Sequence, residues 1–126
     1  MATNPKNKIS SSPRKSRKAF HQGPLHKKKR TMHAHVADDL MEKYDIWTVR
    51  VHKGDTVKVM RGSYAGHTAK VTSVDTKKRV IFIEKVTSIK ADGKETARPM
   101  HPSNVLVTKL DLTDPYRKTQ LEGKSK

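Results

Sequence analysis

The sequence predicts a mainly β fold: a small curled antiparallel barrel of about five strands, preceded by a basic extended arm and a short helix. Three observations carry this reading. From Trp47 to Thr108 the chain runs through short Val/Ile-rich stretches separated by tight turns. No long helical segment intervenes between them, which argues against βαβ units. The first 37 residues hold ten Lys/Arg and no Asp or Glu, a composition too charged to collapse alone.

Charge is distributed unevenly over the 126 residues. The net formal charge of +16 divides into +10 for residues 1–37, +4 for 38–108 and +2 for 109–126. The excess therefore lies outside the segment expected to fold. That segment is about 70 residues long, and a domain of this size buries only ~60% of its unfolded surface. A bound polyanion would supply stability by selecting the folded form. Surface charge that merely keeps a protein soluble is mixed in sign, whereas this arm is free of acid.

Composition excludes several classes. There is no cysteine, so neither a disulfide framework nor a thiolate metal site can form. No apolar stretch approaches a membrane span, and the start lacks the apolar region of a secretory signal. A basic, acid-free start can imitate a mitochondrial presequence, but Pro5, Pro13 and Pro24 break any long amphipathic helix. Lys27-Lys28-Lys29-Arg30 suits either nuclear import machinery or phosphate.

The elements follow in order. Residues 1–35 form the basic arm, of which 1–20 are expected to be disordered alone and extended along a polyanion, with a turn at Gly23-Pro24. Residues 36–46 hold a short helix, with Val36, Leu40 and Tyr44 at i+4 spacing. Asp38 and Asp39 near its start and Lys43 near its end suit the helix dipole, and Asp45 ends it. Residues 47–112 form the barrel. Thr56–Met60 alternates, with Val57 and Val59 on one face. Ala69–Val74 is the next strand, turning at 75–78 into Arg79–Val86. Val80-Ile81-Phe82-Ile83 is apolar on both faces, so this strand is expected to be the most central. Asp92-Gly93 makes a hairpin turn, Thr96–Met100 returns, and Val105–Thr108 closes the set. Residues 113–126 read as a polar tail, in part helical.

The most specific segment runs from Lys53 to Gly66, Lys-Gly-Asp-Thr-Val-Lys-Val-Met-Arg-Gly-Ser-Tyr-Ala-Gly. Gly62 and Gly66 flank a compact loop that exposes Arg61 and Tyr64. Arginine binds phosphate in bidentate fashion. Tyr64 either stacks on an unpaired base or packs over the barrel rim. Trp47 is expected to pack in the core or between helix and barrel rather than on RNA. Asp55 reads as a turn carboxylate accepting backbone bonds, not as a general base. Lys77, Lys78 and Arg79 either grip phosphate or solvate a turn. The scattered histidines, without cysteine or a helical pair, suit bases and phosphate better than a metal.

The Lys53–Gly66 segment resembles the KOW motif of small SH3-like barrels. The resemblance extends through Ser11–Lys18, Asp39–Tyr44, Gly54–Gly62 and His101-Pro102-Ser103-Asn104-Val105, in that order. Together these are similar to the KOW-domain family of the large ribosomal subunit in its archaeal and eukaryotic form, universal large-subunit protein twenty-four (twenty-six in older eukaryotic naming). The match runs from about Ser11 to Leu112.

The resemblance implies an SH3-like KOW barrel in a structural constituent of the large subunit, not an enzyme. It implies binding to large-subunit rRNA near its 5′ region, help in early assembly, and a place beside the polypeptide exit tunnel. Neighbouring ribosomal proteins are the other partners, and no obligate homo-oligomer is expected. No metal site or intrinsic cofactor is implied; Mg2+ enters only as an rRNA counterion. The location is the cytoplasmic ribosome, with transient nuclear or nucleolar assembly if the source is eukaryotic. The implied RNA contacts are Arg61, Gly62, Ser63, Tyr64 and Gly66 in the loop, with Lys53 and His67 beside it. In the arm they are Arg14, Lys15, Arg17, Lys18, His21, Lys27, Lys28, Lys29 and Arg30; at the 75–78 turn, Lys77, Lys78 and Arg79. One departure stands out: Ala69 occupies a position where the general KOW pattern has glycine. Two other classes compete. A KOW module of transcription or RNA processing would travel with polymerase or processing factors. A nucleic-acid enzyme would need a catalytic cluster, and the sequence offers none.

Overall fold

The structure, a computed structural model, describes residues 10–124. The Lys6 and Lys8 end of the predicted arm lies outside the described residues. In chain order the elements are α1 (Pro13–Gln22), α2 (Leu25–Lys28) running into a 3-10 turn (Lys29–Thr31), β1 (His33–Val36), α3 (Asp38–Tyr44), β2 (Thr48–Arg50) and β3 (Thr56–Val59). Then follow β4 (Thr68–Asp75), β5 (Val80–Ile89), β6 (Glu95–Met100), a 3-10 turn (Pro102–Asn104), β7 (Val105–Lys109) and α4 (Pro115–Lys124).

The strands form one sheet of seven in the order β2-β1-β7-β3-β4-β5-β6. This corrects the expected fold of about five antiparallel strands closed as an SH3-like KOW barrel. The five expected strands are present as β3 to β7, but β1 and β2 extend the sheet beyond β7. No ladder joins β6 back to β2 among the described residues, so the sheet is open. It is also mixed, because β1 runs parallel to β7, with His35 opposite Leu106 and Val36 opposite Val107. The sequence hides β1 because its His-Ala-His-Val stretch is short and follows a basic run. Its alternation is nonetheless complete: His33 and His35 are exposed, Ala34 and Val36 buried.

Two further expectations change. β5 is not the most central strand; β3 is, with three strands on either side. β5 is apolar on both faces because it is long and bent. Its pairing with β6 shifts register between Phe82 and Thr87, and Lys85 takes a left-handed backbone (φ 62°) there. The bend returns Val86 to the core after Ile81 and Ile83. The arm is not extended between Pro13 and Thr31 but helical. Pro13 stands at the first helical position of α1, where its missing N–H costs nothing, and Arg, Lys and Ala after it are good helix formers.

α3 starts at Asp38, two residues inside the expected start. It stops where the sequence indicates: Asp45 is left-handed (φ 51°), and its amide donates to the Met41 carbonyl at 2.8 Å. Beyond it Ile46 enters the core, whereas Trp47 is 75% exposed, against the expectation that it packs. Trp47 stands at a bend before β2, whose own inward position is Val49. The core collects Val57 and Val59, as predicted, with Val105 and Val107 from β7 and Ala34 and Val36 from β1. α4 docks on this assembly through Arg117 and Leu121, one turn apart and both buried.

Candidate nucleic-acid interface

α1 presents five of the predicted RNA-binding residues, Arg14, Lys15, Arg17, Lys18 and His21. At about 100° per residue, Arg14, Arg17, Lys18 and His21 fall on one helix face. Phe20 falls at the flank of that face, next to Arg17 at i+3 spacing. No residue of α1 is buried. The helix is held instead by Arg79, whose guanidinium lies 3.4 Å from the centroid of the Phe20 ring. Arg79 Nη2 also donates to the Phe20 carbonyl at 2.5 Å. His21 meets Phe20 edge-on at 5.2 Å. Arg79 is thus 7% exposed and occupied with α1, while Lys77 and Lys78 in the same turn are exposed. The left-handed backbone of Arg79 (φ 60°) ends the turn that aims it there.

The elbow between α1 and α2, at Gly23-Pro24, gathers Lys15, Lys18 and Lys27 around a shallow groove of about 350 Å³. Three ammonium groups on one groove make a phosphate-sized focus of positive charge. Past the elbow Lys29 and Arg30 are exposed and Lys28 is half-buried. Thr31 Oγ1 donates to the Lys28 carbonyl at 2.7 Å, tightening the turn before Met32 enters the core.

The 61–67 loop is compact. The Gly66 amide donates to the Val59 carbonyl at 2.7 Å, and the Met60 amide to the Asn104 carbonyl at 2.9 Å. Gly62 (φ 95°) and Gly66 (φ 86°) are left-handed, so a side chain at either would be strained even though open space surrounds both. Tyr64 is half-buried: its hydroxyl donates to the Thr87 carbonyl at 2.5 Å, and its ring packs against the core. Packing over the sheet is therefore the role its geometry displays. Arg98 Nη1 donates to Ser63 Oγ at 3.0 Å and its guanidinium lies 5.9 Å from the Tyr64 ring. His67 sits 6.5 Å from that ring and contacts the Glu84 carbonyl at 3.2 Å. Arg61 is exposed at the loop entrance. Sequence reasoning missed Arg98, since only the fold brings β6 against this loop. Ala69 sits in β4 opposite Val57 and packs on the core, outside the left-handed region, so its β-carbon fits.

Lys53 is exposed at the turn before β3, and the same turn holds the most buried polar group. Asp55 is fully buried and, as expected, accepts from backbone amides: His52 and Asp111, each at 2.9 Å. It also binds Arg117 in bidentate fashion, at 2.6 and 2.7 Å. Arg117 further donates to the carbonyls of Asp111 (2.8 Å) and Arg50 (3.1 Å). The Thr113 hydroxyl and amide, both donating to Asp111 Oδ1, hold the Asp111 carboxyl below its ordinary range. Residues after Asp114, read as a polar tail, thus provide a helix locked to the sheet by a buried ion pair. Among the described residues no group of three or more His, Asp or Glu is placed to hold a metal ion. No helix among them is long and apolar enough to cross a membrane.

The geometry is that of a surface rich in exposed cations on an arm, a loop and a turn, over one small core. Comparison with known proteins agrees. The family model described as ribosomal proteins L26 of eukaryotes and L24P of archaea matches residues 10–124. The large ribosomal subunit protein uL24 of Methanothrix thermoacetophila is 50% identical over 109 residues, covering 86% of this chain and 94% of that protein. The uL24 proteins of Methanocella arvoryzae and Saccharolobus solfataricus are 48% and 44% identical, covering 91% and 94% of this chain and 93% and 99% of theirs. The chain belongs to the L26/L24P family of large-subunit ribosomal proteins.

Proposed function

We propose that the chain braces large-subunit rRNA from two sides, with the α1–α2 arm on one RNA segment and the 61–67 loop on another. Membership of the family makes the chain a structural, RNA-binding constituent of the large subunit and not an enzyme. The observation that carries the finer reading is the state of α1. It has no buried residue, is basic on one face, and is attached to the sheet through Phe20 at the flank of that face. A helix that gives the fold no buried residue has its use outside the fold. Neutralising phosphates with such a face releases counterions, which offsets the entropy of fixing the arm. Recognition rests on RNA shape rather than on a linear sequence code.

The RNA segment we assign is the 5′ region of the large-subunit rRNA, with a role in early assembly and a place near the exit tunnel. Neighbouring ribosomal proteins complete the contacts. The chain needs no cofactor of its own in this reading, and Mg2+ acts as a counterion of the RNA. In a eukaryotic cell assembly would pass through the nucleus or nucleolus before the cytoplasmic ribosome. The test is sedimentation of the endogenous protein before and after magnesium chelation splits the ribosomes. Stoichiometric tracking with the large subunit through a high-salt wash is expected. Sedimentation in light fractions, or with a polymerase, would overturn the reading in favour of a non-ribosomal module.

A further inference from the structure

We infer that the cleft between α4 and the β1–β2 pair is a separate RNA site, built to hold one unpaired nucleotide. The inference rests on the rRNA-binding reading above; the cleft shares Lys29 and Arg30 with the end of the arm and adds the β1–β2 pair and α4, which neither α1–α2 nor the 61–67 loop includes. The cleft encloses about 360 Å³, the size of a small ligand pocket. Three elements far apart in sequence build it: the turn after α2, the β1–β2 pair and α4.

Its wall carries the groups that a nucleotide requires. Lys29, Arg30 and Arg50 supply positive charge for a phosphate. The facing carboxylate is Asp114, whose Oδ1 accepts the Tyr116 amide at 3.1 Å at the start of α4. Three cations against one carboxylate leave the cleft positive. Tyr116 lines it and is 81% exposed, a free aromatic face on which a base can stack.

Two histidines add specificity. His33 lies opposite Arg50 in the β1–β2 register, and His52 follows two residues later. The Nδ1 of His33 is 2.7 Å from the Arg30 carbonyl, and the Nδ1 of His52 is 3.0 Å from the Arg50 carbonyl. A carbonyl only accepts, so each Nδ1 carries the proton. In the neutral ring that leaves Nε2 as an acceptor. An acceptor beside a phosphate site suits a ribose 2′-hydroxyl, the group that separates RNA from DNA. The cleft is also preformed. Arg117 and Leu121 fix α4 against the sheet, so its wall does not have to order on binding.

The experiment is ultraviolet crosslinking of the full chain to purified large-subunit rRNA, followed by tryptic mapping. Affinities are measured in parallel for Tyr116→Ala, Arg30→Ala and, as a loop control, Arg61→Glu. All three residues are exposed, so the substitutions leave the core intact. The expected result is a nucleotide adduct on the 110–117 peptide and about tenfold weaker binding for Tyr116→Ala. Adducts confined to α1, α2 or the 61–67 loop, with Tyr116→Ala within twofold of wild type, overturn the cleft while leaving the rRNA reading intact. A crosslink from Tyr116 to a neighbouring protein in intact subunits, without an RNA adduct, also overturns it. Failure of the wild-type chain to bind the rRNA at all sinks the rRNA reading, and the cleft with it.

Discussion

Replacing Arg117 with alanine tests whether α4 is part of the fold or an appendage. The side chain makes two charge-assisted bonds to Asp55, at 2.6 and 2.7 Å, and two more to the carbonyls of Asp111 and Arg50. Its removal leaves the fully buried Asp55 carboxylate with the amides of His52 and Asp111 as its remaining partners. Breaking a buried pair by deleting one member costs roughly 3–5 kcal/mol, because the other charge stays uncompensated. Domains of this size have a total stability near the lower part of the usual ~5–15 kcal/mol. Arg117→Ala should therefore lower the melting temperature by about 10–20 °C. The assay is urea and thermal unfolding followed by circular dichroism. It includes the double variant Asp55→Asn/Arg117→Met, which removes both charges. The double variant should recover part of the loss, since no lone charge remains buried. A loss below about 1 kcal/mol for Arg117→Ala, the range of an exposed pair, would refute the reasoning. It would mean that α4 stands away from the sheet in solution.

Three further outcomes are expected. Deleting residues 1–30 should leave the sheet folded, because the core begins at Met32, but weaken rRNA incorporation. The salt slope of RNA binding should fall by about 0.7–0.9 for each phosphate that the shortened chain no longer neutralises, and unchanged incorporation would remove the arm's role. Arg61→Glu should impair RNA association far more than thermal stability, since the side chain is exposed; a large drop in melting temperature with intact binding would reverse its assignment. Asp111 has a folded pKa below its ordinary 3.8, chiefly through the Thr113 hydroxyl. Its contribution is therefore complete above that value and lost as pH falls through the lowered one. Melting curves between pH 5 and pH 2 should fall less steeply for Asp111→Asn than for wild type, and parallel curves would deny the Thr113 bonds a role.

What the sequence reveals and what it conceals divides along contact distance. The alternation of Val57 and Val59, the helix stop at Asp45 and the bond from the His52 amide to Asp55 depend on neighbours a few residues away and are legible, whereas the Asp111 and Arg117 partners of Asp55 lie 56 and 62 residues on. The β1–β7 pairing joins residues on opposite sides of the chain and makes an open, mixed sheet from an apparent five-stranded barrel. No local pattern encodes it. Trp47 misleads because hydrophobicity argues for burial, while the connection from α3 to β2 turns Ile46 into the core and leaves Trp47 at an exposed bend. Arg98 is invisible because its partners, Ser63 and Tyr64, lie in another turn. Lys15, Lys18 and Lys27 are legible as charge, but their convergence requires a helical elbow where the composition suggests an extended chain.

The same distinction reorganises the charge. In the sequence Lys77, Lys78 and Arg79 form one basic run, and Arg117 is one more cation in a polar tail. In the fold the run splits. Lys77 and Lys78 stay in solvent, while Arg79 is buried on Phe20, 59 residues away. Arg117 is buried on Asp55, 62 residues away. Both arginines do internally what the remaining surface cations do externally: they use a planar, weakly hydrated guanidinium to hold an aromatic ring or a carboxylate. Arg79 attaches the arm helix and Arg117 attaches the C-terminal helix, so each sets the position of a cationic surface through an internal contact. Substituting lysine at either position would keep the formal charge of +16 and lose the stacking at Arg79 and the bidentate geometry at Arg117. Net charge alone therefore cannot predict how this chain meets RNA; the placement of these two buried arginines decides where the others point.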